Sequence, residues 1–129
     1  MRAFPTPDVL SIVTGKAITD RGWVGIHEVL EYMAGEDIPM EAEALTEVRQ
    51  LALPLLLQAD ARLRQVLQEG QRVGPADVDK WRTRWLLRFG ESIRVPRLAP
   101  GSYSQSANKS KLGGPMAGRK IWIPPEKMN

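Results

Sequence analysis

Apolar positions recur at helical spacing through most of the first ninety residues, and the runs end at glycine or proline. In the first run, Val9, Leu10, Ile12 and Val13 mark a short helix over about Pro7–Thr14. Thr6-Pro7-Asp8 suits its start, with a threonine N-cap, a proline whose φ is preset, and an acid at the positive helix end. Gly15 suits its left-handed stop. Ile26, Val29, Leu30 and Met33 then fall on one face and predict a helix from about Trp23 to Ala34, ending at Gly35. Pro39 opens a third helix, about Pro39–Leu53, with Ala44, Leu45, Val48, Leu51 and Ala52 inward. Pro54 lacks an amide hydrogen and is expected to kink or split it, so that Leu55–Leu57 starts a new piece.

Asp60 is placed to cap a fourth helix, about Ala61–Gln68, whose face is Leu63, Val66 and Leu67 and whose stop is Gly70. The clearest helix is Pro75–Phe89, where Val78, Trp81, Trp85 and Phe89 share one stripe. Lys80, Arg84 and Arg88 form a second stripe on its solvent side. After Gly90, Pro96 and Pro100 impose extended chain. The expected fold is all-α, a compact bundle of about five helices over residues 1–98. An extended Gly/Pro/Ser-rich basic tail, 99–129, follows. In that tail only Ile121-Trp122-Ile123 has strand character, and the tail is expected to be disordered alone unless it folds back or meets a partner.

A chain of 129 residues suits a single core. The absence of cysteine excludes disulfides, iron–sulfur clusters, thiol catalysis and thiolate zinc sites. No signal-peptide core follows Met1-Arg2-Ala3-Phe4-Pro5, and the longest apolar run, Leu51–Leu57, is too short to span a membrane. A cytoplasmic protein without a membrane partner is expected.

Net charge is only +3, but it is sorted along the chain. Residues 1–100 carry 13 bases and 14 acids, whereas residues 101–129 carry five bases and one acid. From Glu28 to Glu47 there are seven acids and no Lys or Arg; from Lys80 to Arg97 there are six bases against Glu91 alone. Such sorting acts on association and steering rather than on fold.

The opening Phe4-Pro5-Thr6-Pro7-Asp8-Val9-Leu10-Ser11-Ile12-Val13-Thr14-Gly15-Lys16 resembles a family of short bacteriophage and prophage proteins. That family begins F-P-T-x-D-V-L-S-x-x-T-G-[KR] and continues with a glycine-rich joint and a helix close to V-Y-D-I-L-N-x-M-T-G-D-x-L. Here the second element reads Ile26-His27-Glu28-Val29-Leu30-Glu31-Tyr32-Met33-Ala34-Gly35-Glu36-Asp37-Ile38. The likeness is good over residues 4–38 and loose over the Leu-rich helix and the Trp81–Phe89 helix. This chain departs from it at Ala34, where the family tends to threonine, and in its more acidic third helix. The resemblance implies phage origin and a compact helical domain, and it brings no reaction with it.

No set of residues forms a recognisable active site, and no cofactor is expected. The single histidine, His27, has no second ligand at metal-binding spacing and reads as structural. Ser102, Ser104, Ser106 and Ser110 lack a partnering His and Asp. Gly113-Gly114-Pro115-Met116-Ala117-Gly118-Arg119-Lys120 lacks the Gly-Lys-Ser/Thr ending of a phosphate-binding loop. The acidic group Glu36, Asp37, Glu41, Glu43 and Glu47 reads as a solvated helix face, a docking surface for a basic partner, or a magnesium site. The basic group comprises Lys80, Arg84, Arg88, Arg94, Arg97, Lys109, Lys111, Arg119 and Lys120, with Trp122. It reads as a solubilising surface, or as a surface for a protein, a nucleoprotein or nucleic acid. The function expected first is a stoichiometric inhibitor of a host defence complex, of the anti-CRISPR type, acting by protein–protein contact in the bacterial cytoplasm. The alternative is a nucleic-acid-binding accessory or regulator using the basic helix and tail.

Overall fold

The computed structural model describes residues 1–104, and within them the chain is mostly helical with a small two-stranded sheet. The elements are β1 (Arg2–Pro5), α1 (Thr6–Thr14), α2 (Gly22–Ala34), α3 (Ala42–Ala59), α4 (Arg62–Gly70), α5 (Val78–Phe89) and β2 (Ser92–Val95). Lys109, Lys111, Arg119, Lys120 and Trp122 lie outside the described residues, as does all of the expected tail beyond Ser104.

Helix α1 is the centre of the molecule and meets α2, α3, α4, α5 and both strands. Val9, Leu10, Ile12 and Val13 have no exposed surface, and neither have the polar Thr6, Asp8 and Ser11. A helix hydrophobic on more than one side belongs inside, and its polar side chains must then find partners inside. Around it pack Ile26, Val29, Leu30 and Met33 from α2, Leu45, Val48, Ala52 and Leu56 from α3, Leu63 and Val66 from α4, and Trp81 and Trp85 from α5.

Five details differ from the sequence expectation, one being that α3 starts at Ala42 and not at Pro39, because Glu41 before it is extended. The fold is not purely helical, because the extended chain after Gly90 pairs antiparallel with the first residues, Phe4 opposite Ile93 and Arg2 opposite Val95. Phe4, Ile93 and Val95 are buried beneath this ribbon. Thr6 is no N-cap. Its amide donates to the Glu91 carbonyl (3.0 Å) and its hydroxyl to the Gly90 carbonyl (2.7 Å), which ties the start of α1 to the end of α5. Pro54 does not split α3, which runs through it. Pro54 and Gln50, whose carbonyl loses its usual amide, both face solvent, while Ala52 and Leu56 anchor the helix on either side of the proline. Helix α5 starts at Val78 rather than Pro75, after a turn closed by the Asp77 amide on the Gly74 carbonyl.

Candidate interaction site

The polar residues of the opening motif are occupied by the fold. Ser11 donates to the Pro7 carbonyl and accepts the amides of Ile18 and Thr19, both at 3.1 Å, so one hydroxyl shapes the α1–α2 connection. Asp8 accepts the Thr19 hydroxyl at 2.6 Å on Oδ1, and Arg21 reaches to 3.5 Å from Oδ2. Thr14 bonds back to the Leu10 carbonyl and accepts the Lys16 amide. Gly15, at φ 72°, ends α1 against the guanidinium of Arg49. Arg49 is buried and donates to the carbonyls of Ile12 (2.7 Å) and Val13 (3.0 Å), which the end of α1 leaves without amide partners. Burial lowers the Arg49 pKa from its usual value.

The acidic residues gather where α3 begins. Glu36 and Asp37 lie on the α2–α3 connection, Glu41 is the extended residue before α3, and Glu43 and Glu47 are one turn apart on it. That connection is pinned by Ile38, whose carbonyl accepts His27 Nε2 (2.6 Å) and whose amide donates to Glu31 (3.1 Å). His27 therefore holds a loop in place. Asp37, Glu41 and Glu43 are exposed, and Met40 stands among them 51 % exposed. None of the five carboxylates makes an ion pair among the described residues. Most other acids are engaged: Asp8 and Glu28 with Arg21, Asp20 and Asp79 with Arg82, Asp60 with Arg62.

The last described residues return to this place. The Leu98 amide donates to the Met33 carbonyl at the end of α2, and Ser104 donates to Glu36. Tyr103 is half-buried against the core. Its phenol is held above the usual tyrosine pKa by burial first, then by the charges of Glu47, Glu36 and Glu41. Three of the five carboxylates, Glu47, Glu36 and Glu41, thus act on one ring. Tyr103 stands in a serine-rich stretch with no periodicity, where its ring suggests base stacking or a partner's hydrophobic pocket, as Trp122 does; in the fold it packs against the chain's own core.

The basic residues of the described chain divide into two places. Lys80, Arg84 and Arg88 are exposed on the outer side of α5, with Leu87 beside them 82 % exposed. Arg88 stacks on the Trp85 ring at 4.9 Å. Arg94 projects from the outer face of β2, and Arg97 lies over Tyr32 at 4.6 Å. Behind α5, Trp81 and Trp85 both donate their indole N–H to Glu69 (2.9 and 3.2 Å). Burial pushes the Glu69 pKa up, but the bonds from Trp81, Gln65 and Trp85 and the charge of Arg84 outweigh it, and the net value is low. Both tryptophans are therefore core residues with satisfied polar edges.

Among the described residues, no group of three or more His, Asp and Glu is arranged to hold a metal ion, and no helix is long and apolar enough to cross a membrane. Residues 4–54 match a family model described as a domain of unknown function, DUF7736. The matched stretch runs from the buried Phe4 through α1 and α2 to Pro54 in α3. It therefore contains the opening motif, the Arg49 cap and all five acidic residues, and it stops before α4, α5 and β2. No curated protein and no solved structure matches the chain.

Proposed function

We propose that this chain is a phage-derived binding protein that acts by protein–protein contact, seating its acidic face on a basic surface of a host complex. In its concrete form it is a stoichiometric inhibitor of a bacterial defence complex, of the anti-CRISPR type, working in the host cytoplasm. The observation that carries the reading is the set of five unpaired carboxylates at the start of α3, beside the exposed Met40. Unpaired like charges on one face repel each other and lower stability slightly. A basic partner removes that repulsion and gains steering and specificity from it. An acidic face of this kind competes with nucleic acid for a basic channel.

The test is capture from bacterial lysate with and without nuclease. The proposal expects a nuclease-resistant complex of fixed stoichiometry containing a defence protein. Recovery of nucleic acid alone, lost on nuclease treatment, contradicts it.

That second outcome belongs to a second reading, a nucleic-acid-binding accessory protein. It is favoured by Lys80, Arg84 and Arg88, which are exposed on one face of α5 and form no ion pair among the described residues. Its signature is a steep fall in affinity with salt as counterions are released from phosphates.

A further inference from the structure

Charge is sorted in space more sharply than the net value suggests. Residues 1–60 carry four bases and ten acids, and residues 61–104 carry nine bases and four acids. Within this arrangement two arginines stand over one pair of packed aromatic rings. Arg2, on β1, lies 4.7 Å over the Phe4 ring and 5.9 Å from the Tyr32 ring centroid. Arg97, just beyond β2, lies 4.6 Å over that same Tyr32 ring. Phe4 and Tyr32 are themselves packed at 5.3 Å, tilted by 60°. Two guanidinium groups, one on β1 and one just beyond β2, therefore share one aromatic platform.

Neither Arg2 nor Arg97 makes an ion pair or a hydrogen bond to a carboxylate among the described residues, and the same holds for Arg94 on the ribbon's outer face. The Tyr32 hydroxyl also makes no hydrogen bond there. Stacking restrains the guanidinium planes while leaving their N–H forks unused, which is the preorganised state that a phosphate oxygen pair exploits. Two cations held on one pair of rings without a counter-charge favour the arrival of an anion.

We propose that Arg2, Tyr32 and Arg97 form a binding site for the phosphodiester backbone of a nucleic-acid strand. The proposal rests on the nucleic-acid reading above and moves its specific contact from the α5 stripe to the ribbon. It is independent of the acidic face. The two arginines meet phosphate oxygens of the strand, and the tyrosine hydroxyl donates to the same backbone.

The experiment measures binding of a fluorescent oligothymidylate of about 16 nucleotides at low salt by anisotropy. It uses the full chain and three variants: Arg2→Ala/Arg97→Ala, the charge-matched Arg64→Ala/Arg72→Ala, exposed on α4 and in the turn after it, and Lys80→Ala/Arg84→Ala/Arg88→Ala. Circular dichroism confirms the fold of each. The ribbon variant is expected to weaken binding about ten-fold or more and to reduce the salt slope by about two, with Arg64→Ala/Arg72→Ala near the parent. A Tyr32→Phe variant keeps the platform and is expected to lose only the hydroxyl's share, a few-fold. Equal losses in the ribbon and α4 variants mean a diffuse charge effect and overturn the site. Loss confined to the α5 variant overturns the site while leaving the nucleic-acid reading intact. No binding by the parent overturns both. Displacement of the oligonucleotide by an equal concentration of inorganic phosphate assigns the site to a free anion and overturns the strand assignment.

Discussion

Asp8 sets the local rules for everything packed around it. Its carboxylate is fully buried, bonded to Thr19 on one oxygen, and faces Gly25 on the next helix. A Cβ on Gly25 would sit 2.5 Å from Asp8 Oδ1 and 2.7 Å from its carboxyl carbon, so glycine is required there by contact rather than by φ. Gly→Ala in a helix ordinarily stabilises by about 0.4–1 kcal/mol. At Gly25 the sign reverses, and Gly25→Ala is expected to destabilise by about 1–3 kcal/mol, the usual cost of overpacking, read as a lower urea midpoint. A raised midpoint would mean that Asp8 moves freely. Tyr103 offers a second test. Its folded pKa is raised above the usual 10.0, so the neutral phenol is favoured in the fold. The associated stability is complete below that ordinary value and is lost as pH rises through the folded one. Phenolate absorbance is expected to show one of the two tyrosines ionising late, and Glu47→Gln to move that step toward lower pH. An unmoved step would separate Tyr103 from the acidic face.

The helices were legible as elements, and their ends less so. Val78, Trp81, Trp85 and Phe89, or Ile26, Val29, Leu30 and Met33, announce a buried face because burial imposes a 3.6-residue period. The ribbon was not legible. Arg2–Pro5 is too short for a period, and its partner lies ninety residues away, so only tertiary contact selects the pairing. Thr6 looked like a cap by local chemistry, but its hydroxyl is captured by Gly90. Pro54 looked like a break because propensity counts the lost hydrogen bond and not the burial of Ala52 and Leu56. It follows that the proline still costs α3 a bond at an exposed position. Pro54→Ala is expected to raise stability by about 1–3 kcal/mol and to leave helical circular dichroism unchanged or slightly higher. A fall in stability would mean that the proline fixes a bend that α3 requires.

For the molecule as a whole, the likeness of residues 4–54 to a family model and the central position of α1 have one physical source. Thr6, Asp8, Ser11, Thr14, Gly15 and Arg49 hold α1 to its neighbours, so the most recognisable stretch of sequence describes a scaffold. The candidate sites were only partly legible for the same reason. Charge runs such as Glu36–Glu47 can be read from sequence, but which carboxylates are left unpaired, and which arginines share the Tyr32 ring, are properties of the folded chain. The proposed function rests on those unpaired charges. The decisive comparison is between the parent chain and Glu41→Lys/Glu43→Lys/Glu47→Lys, with the corresponding glutamine variant as a milder companion. Lysines near the start of α3 oppose the helix dipole and are expected to cost about 0.3–1 kcal/mol each, a small fall in Tm with the fold retained. Capture of the nuclease-resistant partner is expected to be abolished by the lysine variant and weakened by the glutamine one. Undiminished capture by a folded lysine variant would contradict the acidic-face account.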